Sequence, residues 1–222
     1  MATFIPFSWS SNAFSILSNL PWLEMAADVW KVSKKLWRGM ADEGMYEVLE
    51  YEATLALLNK QGTLAHFHKR EVVCYQQDNI IAYQDQAWGD GEILQEYACS
   101  PGTEVDRYRA GHKTLVLISL WGMKKRGETD EFHMDWKMKN GFLRNQEQWD
   151  TEINHKTKRA IIQIIFPKSR PPFKVEALEY IQQHARVLGQ NEIVQRSDGK
   201  WVVRWEIEKP RLHEHYILKW SW

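Results

Sequence analysis

From Met45 onward, apolar and polar residues alternate along the chain with a period of two. The first alternating run ends with Leu49–Leu57 and is followed by the turn-forming residues Asn59-Lys60-Gln61-Gly62, after which a second run extends from Thr63 to about Tyr75. Successive side chains of a strand point to opposite faces of a sheet, so this pattern is typical of half-buried strands. The sequence therefore predicts two strands joined as a β-hairpin.

Further segments of the same character follow, and glycine or proline separates many of them. The strand candidates are residues 80–87, 93–99, 113–121, 131–138, 159–166, 199–208 and 213–222. Many short strands with such turns favour an antiparallel arrangement. We therefore predict a mainly β domain over residues 43–222, an antiparallel two-sheet sandwich of immunoglobulin-like general architecture, in preference to a barrel.

One segment of this domain, residues 173–189, fits two structures. Its apolar residues follow helical spacing, but a long edge strand would suit the surrounding strands. The helical positions are Val175, Leu178, Ile181, Ala185 and Leu188. The spacing favours a helix over an edge strand.

The N-terminal segment, residues 1–42, contains a predicted amphipathic helix over about 21–38. Asn19 can cap it, Pro21 suits its first turn, and Gly39 can end it. Its broad apolar face, with three tryptophans, predicts docking onto its own domain, another protein or a second copy of the chain. The candidate docking residues are Trp22, Met25, Val29, Trp30, Leu36 and Trp37. Adsorption to a membrane surface is the weaker alternative, because Glu24 and Asp28 would be repelled by acidic lipids.

The overall charge and composition exclude some functions. Lysine plus arginine equals aspartate plus glutamate at 29 each, so no net field attracts nucleic acid. The 12 tryptophans, 8 tyrosines and 8 phenylalanines predict either a large aromatic core or an aromatic surface for a sugar, lipid or protein. Two cysteines and no recognisable secretory signal indicate a cytoplasmic protein with reduced thiols.

Two His-x-His pairs are the most specific candidates for a metal site. His66 and His68 lie in one strand candidate, and His213 and His215 lie in another. Alternate residues of a strand share a face, so pairing of these two strands would bring four imidazoles together. The competing interpretation is that these histidines are ordinary polar residues on solvent-facing positions.

Two weaker sites have local explanations as well. Asp85, Asp90, Glu92 and Asp106 supply oxygens of the kind that calcium prefers, but Asp-Gly is also usual in hairpin turns. Cys99 is a candidate nucleophile with His112 or His133 as its base. The sequence around it has no feature that would lower the pKa of the thiol.

The sequence contains no phosphate-binding loop, dinucleotide fingerprint, nucleophile elbow or helical zinc-protease motif. The leading prediction is a non-enzymatic interaction or regulatory module without a cofactor, a subunit or accessory of a larger assembly. It would dock through the N-terminal helix and the loops of the β-domain. The first alternative is a carbohydrate-type ligand-binding β-domain, and the second is a metal- or cysteine-dependent hydrolase.

Overall fold

The computed structural model describes residues 44–222, which form a mainly β structure of fourteen strands. The strands are β1 (Tyr46–Leu57), β2 (Leu64–Tyr75), β3 (Ile80–Ala87), β4 (Glu92–Ser100), β5 (Thr103–Ala110), β6 (Lys113–Lys124), β7 (Thr129–Lys139), β8 (Gln146–Glu152), β9 (Arg159–Phe166), β10 (Lys174–Glu179), β11 (His184–Val187), β12 (Ile193–Gln195), β13 (Trp201–Glu208) and β14 (His215–Ser221). The mainly β prediction is confirmed. The predicted helix over residues 21–38 lies outside the described residues.

The strands form three sheets, where the sequence analysis predicted two. The large sheet has the order β12-β13-β9-β1-β2-β7-β4, a second sheet has the order β11-β10-β14-β8, and a third has the order β3-β6-β5. The predicted hairpin of β1 and β2 is confirmed. One pairing is parallel, between β1 and β9, so the sheets are not wholly antiparallel. A parallel pair needs a long crossover, and the intervening strands supply it.

The predicted helix over residues 173–189 is wrong. This segment forms β10 and β11, and β10 pairs with both β11 and β14. Val175 and Ala177 are buried while Glu176 between them is only half-buried, which is the period of a strand. Hydrogen bonds to the neighbouring strand β14 outweigh the local helical spacing.

The core lies between the large sheet and each of the two smaller sheets. Tyr83 of β3 stacks on Phe132 of β7, with ring centroids 4.0 Å apart. On the same face of the large sheet, the rings of Phe67 of β2 and Trp149 of β8 have centroids 4.9 Å apart. Aromatic side chains therefore join the three sheets, as the core interpretation of the composition predicted.

Over residues 44–222 we find no helix of the length and apolar character that crossing a bilayer requires.

Candidate ligand-binding trough

A charged cluster is buried between the large sheet and the three-stranded sheet. Lys69 and Glu71 lie two residues apart on β2 and so share its inward face, where both are about 5% exposed. Asp85 of β3 faces them and is 1% exposed. The Lys69 ammonium donates a hydrogen bond to Asp85, and its Nζ is 3.1 Å from Oε1 of Glu71.

Hydroxyl and amide groups complete the hydrogen bonding of the two carboxylates. Tyr83 donates to Glu71. Tyr97 donates to Asp85 Oδ2 at 2.9 Å, and the backbone N–H of Gln86 donates to Asp85 Oδ1 at 2.7 Å. Burial alone would lower the pKa of Lys69, but Asp85 and Glu71 raise it more, so the net shift is upward. Lys69 is therefore a cation that holds two sheets together.

A cavity of about 340 Å³ lies beside this cluster, where the three sheets meet. We call it the inter-sheet cavity. Its walls combine aromatic rings with groups that donate and accept hydrogen bonds. The aromatic lining residues are Tyr51, Phe67, Tyr83, Trp88, Trp136 and Trp149, and the polar ones include Lys69, Lys113, Asp150, Glu152, Asn154 and His155. Such a mixture is typical of small-molecule and peptide pockets.

A larger groove of about 770 Å³ lies next to the inter-sheet cavity. We call it the polar groove. One side is formed by Trp88, Gly89 and Asp90 between β3 and β4 and by His112 between β5 and β6. The four-stranded sheet lines it as well: β8 contributes every residue from Gln146 to Asp150, β14 contributes Lys219 to Ser221, and β10 contributes Lys174 and Glu176.

The two cavities meet along β8. Trp88, Trp149 and Asp150 line both of them. We use the name trough for the inter-sheet cavity and the polar groove together. Every β8 residue, from Gln146 to Glu152, lines at least one part of the trough.

Charged groups in the middle of the trough are already paired. The carboxylate of Asp150 lies 3.0 Å from Nδ1 of His215, on the neighbouring strand β14. Burial raises the pKa of Asp150, while His215 opposes this shift. Lys113 forms an ion pair with Glu152, and its Nζ is 5.1 Å from the ring centroid of Trp88. These pairs leave no strongly charged surface, so the trough suits a ligand of low net charge.

The four histidines of the predicted metal site do not lie on paired strands. His66 and His68 both contact the same carboxylate, Asp135 of β7, with Oδ1 at 3.3 and 3.0 Å. His215 lies on β14, which pairs with β10 and β8, whereas β2 pairs with β1 and β7. His213 lies in the turn before β14.

Within the part of the chain that the structure describes, no group of three or more His, Cys, Asp or Glu side chains is arranged to hold a metal ion. The acidic residues proposed for calcium have separate surroundings. Asp85 belongs to the buried cluster, Asp90 lies 3.6 Å from Arg144, and Asp106 accepts a hydrogen bond from the backbone of Arg107.

Cys99 and its two proposed bases also have other neighbours. Burial raises the pKa of the half-buried Cys99 thiol. His133 lies 3.1 Å from Glu131, and the ring of His112 lies edge-on to Trp88 at 6.4 Å. A raised pKa is opposite to what a thiolate nucleophile requires.

Comparison with known proteins adds little to this picture. No protein-family model and no curated protein matches the sequence. The crystal structure of an M1 zinc metallopeptidase from Deinococcus radiodurans is similar to this chain, with a TM-score of 0.43 and 9% sequence identity. The match covers 78% of this chain and 42% of the metallopeptidase chain, so this chain spans less than half of that protein's length. A likeness of this size does not establish a shared fold or activity.

Proposed function

We propose that this protein is a non-enzymatic interaction module and that the trough along β8 is its partner-binding site. One observation carries this proposal: side chains from three sheets converge on the trough, and β8 lines it with seven consecutive residues. Trp88 and Trp149 are half-buried there, so each presents part of an aromatic ring to the trough. Aromatic anchors surrounded by hydrogen-bonding groups are the usual core of a binding site.

The chemistry of the charged groups supports binding rather than catalysis. Lys69 is held between two carboxylates, Lys113 is paired with Glu152, and Cys99 has a raised pKa. A catalytic acid, base or nucleophile needs a group that is free to exchange a proton or attack a substrate. Each of these groups is instead in an arrangement that stabilises one charge state.

The N-terminal segment belongs to the same proposal as a second attachment. Its predicted docking residues, Trp22 to Trp37, lie outside the described residues, and their role stays a prediction from apolar spacing. In this proposal they fix the protein within an assembly, while the trough selects the partner.

A carbohydrate ligand is the second candidate. It is favoured by the amide side chains that accompany the two tryptophans, because amides bond well to hydroxyl groups and indole rings stack on sugar rings. The amides are Gln84 and Gln86 in the inter-sheet cavity, and Gln146 and Gln148 in the polar groove.

Binding of the full chain to a random peptide library and to a glycan array tests the proposal. Two variants change the trough: Trp88→Ala removes an aromatic wall, and Gln148→Trp fills the polar groove from an exposed position. Each should weaken binding by about tenfold or more, the loss expected for an interface anchor. The matched controls are Trp121→Ala, an exposed tryptophan toward the other end of β6, and Gln195→Trp on edge strand β12. Equal losses in controls and trough variants, or no bound ligand, would contradict the proposal.

A further inference from the structure

We infer that the trough receives an extended segment of a partner polypeptide, which pairs with the free edge of β8 as an added strand. This inference rests on the proposed function and deepens it, because it names the partner's conformation and the atoms that recognise it. β8 is at the end of its sheet, and β14 is its one neighbour among the described strands.

The hydrogen bonds at the two ends of β8 show which backbone groups face away from β14. The N–H of Trp222 donates to the carbonyl of Asn145 at 3.3 Å, and the N–H of Ile153 donates to the carbonyl of Glu214 at 3.1 Å. In an antiparallel ladder, residues that bond to the neighbour alternate with residues that do not. Because Asn145 and Ile153 are an even number of residues apart, the odd-numbered residues between them bond to β14.

The even-numbered residues of β8 therefore direct their N–H and C=O groups to the free edge. These residues are Gln146, Gln148, Asp150 and Glu152. The polar groove is lined from both faces of β8: Gln148 lies on the face that also carries Lys219 and Glu176, and Trp149 lies on the core face. The free edge of β8 lies between these two faces, so its alternating donors and acceptors lie along the trough.

An extended polypeptide matches this edge better than other ligands do. Its own N–H and C=O groups repeat with the same spacing, so it can pair with all four residues, as peptides do when they extend an exposed sheet. A folded second copy would have to place a whole sheet edge in a groove that Trp88 and His112 also line. A single extended segment needs no such space.

The charges and the shape of the trough also indicate the kind of segment. Carboxylates and cationic groups in the polar groove nearly balance, so the groove favours neither a strongly acidic nor a strongly basic partner. The inter-sheet cavity beside it, walled by Tyr51, Trp136 and Trp149, has room for one bulky side chain. The expected ligand is a segment of low net charge with one aromatic or large aliphatic anchor.

A peptide selected from a random library against the full chain tests the inference by backbone N-methylation, which removes one N–H at a time. Methylation at alternate positions should weaken binding by about tenfold or more, and methylation between them by less than about threefold, because a strand pairs through every second residue. The peptide should also lose affinity for Gln148→Trp and keep it for Gln195→Trp.

Three results would overturn the inference, and they differ in what they mean for the proposed function. If the affinity of the peptide is the same whichever position is methylated, or if the trough binds glycans but no peptide, then strand pairing is wrong although the trough is still a binding site. If the protein binds no peptide but self-associates, and Gln148→Trp abolishes this self-association, then the partner at the trough is a second copy of the chain. If Gln148→Trp changes neither ligand binding nor self-association, both the proposed function and this inference are wrong.

Discussion

Lys69 of β2 donates a hydrogen bond to Asp85 of β3 in the space between two sheets, where both side chains are almost completely buried. This contact joins the large sheet to the three-stranded sheet beside the inter-sheet cavity. Because Glu71 is also within 3.1 Å, one ammonium group serves two carboxylates. Lys69 and Glu71 line this cavity, so the cluster forms part of its wall.

Replacing this cation should destabilise the protein strongly. Lys69→Met would leave Glu71 and Asp85 buried without their counter-ion, and breaking a buried pair in this way costs about 3–5 kcal/mol. Denaturant unfolding would measure the loss. The adjacent Arg70→Met is the matched control, because Arg70 pairs with Glu50 and Glu131 on the outer face and should contribute about 1 kcal/mol or less.

The triple variant Lys69→Met, Glu71→Gln, Asp85→Asn separates charge from packing. If the uncompensated carboxylates cause the loss, this variant should recover a large part of the stability, since it removes the charges as well as the cation. A triple variant that is less stable than Lys69→Met would show that the hydrogen bonds of the carboxylates matter more than their charge.

The turn between β1 and β2 supplies a second stability test. Gly62 has a φ of +72°, and a Cβ atom built there would lie 1.6 Å from the carbonyl oxygen of Phe142, which lines the polar groove. Gly62→Ala should therefore cost more than the roughly 1–2 kcal/mol of left-handed backbone alone. Gly122→Ala is the control, because a Cβ there meets no atom within 4 Å. Equal stability of the two variants would contradict this packing.

Asp150 should make stability depend on pH. Burial raises the pKa of its carboxyl group in the folded state, so the proton is held more tightly there than in the unfolded chain. The resulting stability is present below the ordinary Asp value of 3.8 and is lost as the pH rises through the raised pKa. Asp150→Asn should therefore be more stable than the wild type near pH 7, and this advantage should shrink in acid.

Unfolding of both proteins at several pH values would measure this difference, with Glu208→Gln, at an exposed position, as a control. If Asp150→Asn is less stable than the wild type near neutral pH, the hydrogen bond from His215 to the charged carboxylate outweighs the cost of burial, contrary to our account.

The hydrolase alternative predicts a reactive Cys99 thiol, whereas the structure predicts an unreactive one. Because burial raises the pKa of this thiol, its alkylation by iodoacetamide near pH 7 should be slower than that of free cysteine. Mass spectrometry of the modified peptide, with Cys99→Ser to assign it, would give the rate. Alkylation faster than that of free cysteine would restore Cys99 as a candidate nucleophile.

The sequence predicted the strands whose faces are buried and missed several at the edges. β3 and β9 match their predicted bounds, since buried apolar residues recur along both strands from one end to the other. β5 and β8 were missed, because β5 is mostly exposed and Trp149 is the one apolar residue of β8. Edge strands are held mainly by backbone hydrogen bonds, so their sequences need not show alternating apolar residues.

The candidate site was harder to predict for the same reason. Residues 88–91 were correctly predicted to connect two strands, but nothing in the sequence of a connection shows that Trp88 lines a cavity. The buried cluster did leave a signal: on β2, Lys69 and Glu71 continue the inward positions of Ala65 and Phe67. Charged residues at core positions of an alternating strand indicate a buried ion pair or a site.

Hydrogen exchange resolved for individual amides of the full chain, with and without a library-selected peptide, tests the binding account most directly. If a partner strand pairs with β8, the amides of Gln146, Gln148, Asp150 and Glu152 should exchange at least about tenfold more slowly in the complex, because they gain hydrogen bonds. Those of Glu147, Trp149 and Thr151, already bonded to β14, should change less. Unchanged exchange at the four even-numbered residues, with protection elsewhere, would contradict the account.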